Sequence, residues 1–167
     1  MRSAAQPGTA GPGPRLASAS MRTTYRVLAY LIALGVVAQA MFIAWGTFTV
    51  NHAANATGVV GPGDLDPEHA TAFGLHAFNS YLVSALSLVL FIIAFFAKTV
   101  HHRIRWALAL FLTVVVQGEL GYASYELPAI GLLHGLGALA VFTLALRAAW
   151  LPASTAEKAA TKEEALV

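Results

Sequence analysis

Residues 25–50, YRVLAYLIALGVVAQAMFIAWGTFTV, form an almost entirely apolar segment that decides the fold. A helix needs about 20 mainly apolar residues to cross a bilayer, and this segment has about 26. The apolar core of a secretory signal peptide has only about 7–15 residues, which favours a membrane-spanning helix instead. Similar runs follow at about 71–97, 106–125 and 128–150. The sequence therefore predicts an all-α fold, an antiparallel four-helix transmembrane bundle.

The composition supports a membrane protein and excludes several kinds of site. Of the 167 residues, 57% are hydrophobic and 11% are charged, whereas a soluble domain carries about 25% charged residues. The chain has no cysteine, which excludes disulfides, thiolate metal sites and iron–sulfur clusters. We expect the lipid bilayer to be the main partner and do not expect nucleic acid binding.

The two ends of the chain differ in composition from the apolar middle. Residues 1–22 are rich in Ala, Gly, Pro and Ser, which cannot form a packed core, and we predict a disordered cytoplasmic tail there. Residues 23–151 are predicted to form the bundle, with 51–70 as its longest connection. Residues 152–167 are predicted to be a polar cytoplasmic tail.

The basic residues predict the orientation in the membrane. All ten Lys and Arg residues fall in the segment through Arg26, in the loop 98–105, or from Arg147 onward. The other two connections contain none, and the first of them carries Asp64 and Asp66 instead. By the positive-inside rule, both termini face the cytoplasm. We therefore predict a multi-pass protein of the bacterial cytoplasmic membrane.

A weak internal repeat relates the first two predicted helices to the last two. The first helix contains VVAQ at 36–39 and the third contains VVVQ at 114–117. Each following helix carries a histidine near its start, in FGLH at 73–76 and GLLH at 131–134. The first and third helices run in the same direction, so the two repeats would be related by an axis along the membrane normal.

The repeat places His76 and His134 at a similar depth. With a rise of about 1.5 Å per residue, His76 lies roughly 7 Å and His134 roughly 9 Å below the outer boundary. Facing helices of a bundle can supply two axial nitrogen ligands to a haem. We therefore predict that His76 and His134 bind haem b. The alternative is that His76 is only an interfacial polar residue and that His134 lies in a glycine-rich packing face.

Further residues are predicted to complete the site. An axial imidazole usually donates its second N–H group to a fixed acceptor, and Gln39, Gln117, Asn79 and Ser80 are the candidates. Small residues near His134 would leave room for the macrocycle. These residues are Gly131, Gly135, Gly137 and Ala138. The outer side lacks Lys and Arg, so haem propionates would have to face water or backbone N–H groups.

The glutamine-bearing odd helices and the Leu-His pairs of the even helices resemble an uncharacterised bacterial family of four-helix membrane proteins. More remotely, they resemble one half of haem A synthase. The halves of that enzyme are four-helix bundles in which a histidine pair binds haem. The resemblance covers roughly residues 25–150 and implies that His76 and His134 correspond to the haem ligands. This chain has one such half, so the resemblance implies haem binding rather than haem A synthesis.

Other polar residues are weaker candidates. Glu119 is the single acidic residue inside an apolar run, where ionisable residues usually have a function. Because it follows Gln117 by two residues, it points to a different side of the helix. It would reach the outer interface or a partner protein, or take part in proton relay. His52 and His69 are expected in the outer loop, either solvated or in contact with a metal or substrate.

The leading hypothesis is a membrane protein that holds b-type haem for electron transfer or haem handling. Its expected partners are membrane proteins of the respiratory chain or of the haem pathway, and we expect a carrier rather than a stand-alone enzyme. The alternative is a non-catalytic structural or assembly subunit without a cofactor. A haem-modifying enzyme would need an oxidation site that the sequence does not reveal.

Overall fold

The computed structural model describes residues 14–58 and 67–153. Four α-helices make up nearly all of these residues, and no named strand occurs within them. The helices are α1 (Pro14–Thr57), α2 (Pro67–Ala94), α3 (Arg103–Glu126) and α4 (Gly131–Ala149), with a short 3₁₀ turn at Pro128–Ile130 before α4. All four are long and apolar enough to cross a membrane, as the sequence predicted.

Helix α1 extends beyond its predicted bounds at both ends. It already begins at Pro14, inside the segment 1–22 that we predicted as a tail, and proline suits the first position of a helix. It continues to Thr57 and ends at Gly58, which has a φ of 76° and donates its N–H to the carbonyl of Ala54. This is a glycine-terminated helix end. Residues 1–13 and 154–167 lie outside the described part of the chain.

The helices pack in a ring in which each one contacts two neighbours. Helix α1 packs against α2 and α4, and α3 packs against the same two helices. Within the described ranges, the backbones of α2 and α4 do not come close to each other, and neither do those of α1 and α3. Helices α2 and α4 therefore lie diagonally across the bundle.

The hydrophobic core is concentrated at one end of the ring. We call this the basic end, because it contains Arg26, the loop 95–102 and Arg147. The largest fully buried apolar side chains of the described chain belong to this end or to the middle of the bundle: Tyr25, Ile32, Leu90, Val100, Leu110, Val141 and Leu151. We call the opposite half, which carries His76 and His134, the histidine end.

Polar contacts to the main chain close the basic end. The Tyr25 hydroxyl donates to the carbonyl of Arg103 at 3.2 Å, and the Arg26 guanidinium donates to that of Leu151 at the same distance. The N–H of His101 donates to the carbonyl of Pro152. The loop 95–102 is therefore tied to the chain after α4.

The outside of the ring is apolar along the whole length of the helices. Phe48, Phe78, Phe96, Leu132 and Leu139 are among the many large apolar side chains that are mostly exposed. In water such a surface would be unfavourable, but in a bilayer it faces acyl chains. The membrane-spanning helices thus imply contact with lipid over most of the surface.

Candidate functional site

The two histidines that the sequence singled out come together across the axis of the ring. His76 lies on α2 and His134 on α4, and their ring centres are 6.4 Å apart with an angle of 59° between the ring planes. Both side chains are half-buried. Because α2 and α4 are diagonal neighbours, the histidines approach each other over the centre of the bundle and not within one helix interface.

Each imidazole is held by the neighbouring helix through a main-chain carbonyl. Nδ1 of His76 lies 3.3 Å from the carbonyl oxygen of Gln39, and Nδ1 of His134 lies 3.0 Å from that of Gln117. A carbonyl oxygen can only accept, so Nδ1 carries the proton in both rings. In the neutral imidazole this leaves the lone pair on Nε2. Within the described part of the chain, no hydrogen bond reaches either Nε2 atom.

The sequence named Gln39 and Gln117 as possible acceptors but could not distinguish the amide side chain from the main chain. The main chain accepts in both cases. The other two candidates make different contacts. Asn79 donates its amide to the carbonyl of Gly35 at 2.8 Å, and Ser80 donates to the carbonyl of Ala77 in its own helix. One turn beyond His76, Asn79 faces the α1 backbone and not the imidazole.

The side chain of Gln117 makes a second contact with the histidine that its main chain holds. Its Nε2 donates to the carbonyl of His134 at 2.7 Å. The amide oxygen is buried, has no hydrogen-bond partner among the described residues, and lies against Gly137, where any side chain would collide with it. Residues Gln117 and His134 thus form two hydrogen bonds with each other.

The glycines around the site differ in what they contact. A Cβ atom on Gly135 would meet nothing within 4 Å, and one on Gly131 would meet only the hydroxyl of Ser124 at 3.9 Å. The glycine in contact with the imidazole is Gly121 on α3, whose Cβ position lies 3.1 Å from Cε1 of His134. Its spacing is visible in the sequence, since Gly121 follows Gln117 by one helical turn.

The histidine end is less densely packed than the basic end. On α3 no residue after Gln117 is fully buried, and on α4 none before His134 is. On the adjoining parts of α1 and α2, among the described residues, only Gly46 and Ala72 are fully buried. The histidine pair therefore lies where the densely buried apolar core ends.

The remaining candidates lie apart from the histidine pair. Glu119 is exposed on the outside of α3, as its spacing from Gln117 predicted. His52 is exposed on α1, and the side chain of His69 is outside the described part of the chain. Among the described residues, no group of three or more His, Asp or Glu side chains could hold a metal ion. Among the described residues, His76 and His134 are therefore a pair of imidazoles that no third His, Asp or Glu joins.

Comparisons with known proteins do not add a family to this description, because no family model, curated protein or solved structure matches the chain.

Proposed function

We propose that the protein binds b-type haem between His76 and His134 and uses it to pass electrons within the membrane. The observation that carries this proposal is the pairing of the two imidazoles across the bundle axis, with both Nδ1 atoms donating to main-chain carbonyls. Axial histidines of haem proteins commonly have this arrangement, because the second-shell acceptor fixes the ring and raises the basicity of Nε2. The same two residues are the ligands implied by the resemblance to half of haem A synthase.

The separation of the rings fits two ligands on one iron. Two metal–nitrogen bonds of about 2 Å each, with the ring centres about 1 Å further out, give roughly 6 Å between ring centres. The observed separation is 6.4 Å. A three-ligand metal site is disfavoured, because no third His, Asp or Glu joins the pair within the described residues. Haem requires only the two axial ligands, since its macrocycle supplies the other four.

The surroundings also fit a flat macrocycle. Gly121 brings the α3 backbone against the His134 ring without a side chain between them. The histidine end has few buried side chains, whereas the basic end has a dense core. When bound, haem would supply a one-electron redox centre, and the protein would supply the ligands, their orientation and an environment of low polarity.

We further propose that the helices alternate in direction and that both termini lie in the cytoplasm. One supporting contact is the hydrogen bond from Tyr25 to the carbonyl of Arg103, which joins the N-terminal half of α1 to the start of α3. Arg26 reaches the carbonyl of Leu151 just after α4. The collection of Lys and Arg at this end agrees with the positive-inside rule. The haem would then lie in the outer half of the membrane.

The first test is the visible spectrum of the purified protein, oxidised and then reduced with dithionite. We expect the spectrum of a low-spin b-type haem in the wild type. His76→Ala and His134→Ala should each abolish that spectrum, because six-coordinate iron needs both imidazoles. His52→Ala is the matched control, since this histidine is exposed on α1, and it should leave the spectrum unchanged.

The same measurement separates the proposal from its alternative. A structural or assembly subunit without a cofactor would be colourless as purified and would show no Soret shift when mixed with haem. That result would contradict haem binding, and so would a haem spectrum that persists in the double variant His76→Ala/His134→Ala.

A further inference from the structure

We propose that Tyr81, Glu119 and Tyr122 form a binding site for the head group of a membrane quinol. The proposal that the bound quinol donates electrons rests on the proposed haem function. The proposal that quinol binds here does not. We refer to these three residues as the tyrosine–glutamate patch.

The patch lies on the outer surface of the bundle, where α2 meets α3. Glu119 and Tyr122 are three residues apart on α3 and therefore share one face of that helix. The hydroxyl of Tyr122 lies 3.4 Å from the hydroxyl of Tyr81 on α2. Tyr81 is 64% and Tyr122 62% exposed, and Glu119 is also exposed. All three belong to segments that are apolar enough to cross the membrane.

A carboxylate on a membrane-facing surface needs a polar partner, because its charge is costly in hydrocarbon. Helix α3, which carries Glu119, offers no nearby cation. The basic residue of α3 nearest to Glu119 in sequence is Arg105, about 21 Å away along the helix at 1.5 Å per residue. A second copy in the same orientation would carry the Lys and Arg residues of its described segments at the same distant end. The patch therefore suits a neutral, hydrogen-bonding molecule that arrives from the bilayer.

A quinol head group has the complementary chemistry. It is an aromatic ring with two hydroxyl groups on opposite sides. One hydroxyl can donate to the Glu119 carboxylate while the other exchanges hydrogen bonds with the paired hydroxyls of Tyr81 and Tyr122. The exposed ring of Phe78, three residues before Tyr81, offers an apolar contact beside them. The isoprenoid tail would remain in the lipid.

The patch is close to the histidine pair along the sequence of α3. Glu119 follows Gln117 by two residues, and Gln117 holds His134 through its main-chain carbonyl. If His76 and His134 hold a haem, it would supply the one-electron acceptor for quinol oxidation. One quinol would then become one quinone by giving one electron to each of two chains. Both quinol O–H bonds would break, and the Glu119 carboxylate would be the first acceptor of the two released protons.

Binding is tested first and without haem. Haem-free protein in nanodiscs is incubated anaerobically with a quinol analogue that carries a photoreactive diazirine, and the labelled peptides are identified by mass spectrometry. We expect labelling of α2 and α3 around the patch. Glu119→Gln should reduce this labelling about tenfold, the effect of losing a hydrogen bond to a charged group. Tyr122→Phe and Tyr81→Phe, which keep the aromatic ring, should reduce it several-fold.

Two matched controls carry the same chemical changes elsewhere. Glu126→Gln alters the exposed acid at the end of α3, and Tyr30→Phe removes a hydroxyl at the basic end. Both should label as the wild type does. Equal labelling of Glu119→Gln, Tyr122→Phe and the wild type would overturn the proposed site, as would labelling confined to other helices.

Electron transfer is tested next in protein that has bound haem. Each molecule of the quinol analogue should reduce the haem of two chains. Glu119→Gln should slow this reduction at least tenfold. Dithionite should reduce the haem of the wild type and of the variant equally fast. Patch-specific labelling in a protein that binds no haem would uphold the quinol site and reject only the haem function. Haem that dithionite reduces but quinol does not would reject the electron-donor role.

Discussion

The two helix pairs of this bundle hold their histidines by the same main-chain contact but support that contact differently. In the pair α1–α2, the residue three positions after His76 is Asn79, whose amide donates to the carbonyl of Gly35 on α1. In the pair α3–α4, the residue three positions after His134 is Gly137. There the amide belongs to α3, where Gln117 donates to the carbonyl of His134. Each pair thus combines a donating amide with a glycine. In the first pair the amide is on the helix that carries the histidine, whereas in the second pair it is on the other helix.

The exchange makes the two histidines unequal. His134 has its Nδ1 3.0 Å from the Gln117 carbonyl and its own carbonyl bonded to the Gln117 amide. His76 has one contact, at 3.3 Å, and the side-chain oxygen of Gln39 beside it is buried without a hydrogen-bond partner in the described chain. We infer that His134 is the more firmly held ligand and His76 the more easily displaced one.

The largest effects are expected where a side chain would fill the contact between the helices of a pair. Gly35→Leu would drive its Cβ to 2.6 Å from the Val83 methyl group, and Gly137→Leu would displace the Gln117 amide. Each should lower the free energy of unfolding by about 2 kcal/mol, the usual cost of overpacking. Denaturant titration in mixed micelles would measure this loss.

The matched control for these variants is Gly135→Leu, because a Cβ there meets nothing within 4 Å. It carries the same gain in helix propensity and should not destabilise the protein. Equal destabilisation of all three variants would show that the contacts of Gly35 and Gly137 are not responsible.

A smaller loss is expected when the amide of the first pair is removed. Asn79 is buried, and Asn79→Ala should cost about 1 kcal/mol, as for other hydrogen bonds between membrane helices. Because the amide of Asn79 donates to the carbonyl of Gly35 and not to His76, the haem spectrum should be unchanged. A shifted spectrum would mean that Asn79 takes part in ligand positioning, which its contact with Gly35 does not predict.

The smallest and most informative difference concerns the two glutamines. Gln117→Leu removes the hydrogen bond to the His134 carbonyl and should weaken haem binding by about 1 kcal/mol, or roughly fivefold. Gln39→Leu removes a side-chain oxygen that has no partner and should have almost no effect or be slightly stabilising. Titration with haem measures the affinity of each variant, and each value is compared with that of the wild type. Equal losses would contradict the inequality of the two histidines.

Much of this arrangement could be predicted from the sequence, because apolar length and charge distribution are sufficient to identify four membrane helices. The repeat of Val-Val-x-Gln and Leu-His placed His76 and His134 at a common depth, and their rings do meet. The acceptors of their Nδ1 atoms could not be assigned to the main chain, since every residue carries a carbonyl and only the packing of the helices selects one.

Other features do not follow from apolar length and charge alone. The extent of α1 from Pro14 to Thr57 exceeds its apolar segment, and alanines of high helix propensity occur on either side. The contact of the loop 95–102 with the chain after α4 joins two segments about 50 residues apart. The role of Gly137 becomes clear only when the Gln117 amide is found beside it.

The central claim is that both imidazoles bind one iron, and the electron paramagnetic resonance spectrum of the ferric, haem-loaded protein tests it most directly. Two axial imidazoles on ferric iron give a low-spin signal, and this is the predicted result for the wild type. In His76→Ala the remaining haem should become high-spin, with His134 as its single protein ligand. A high-spin signal in the wild type, or a low-spin signal that survives loss of both His76 and His134, would contradict the account.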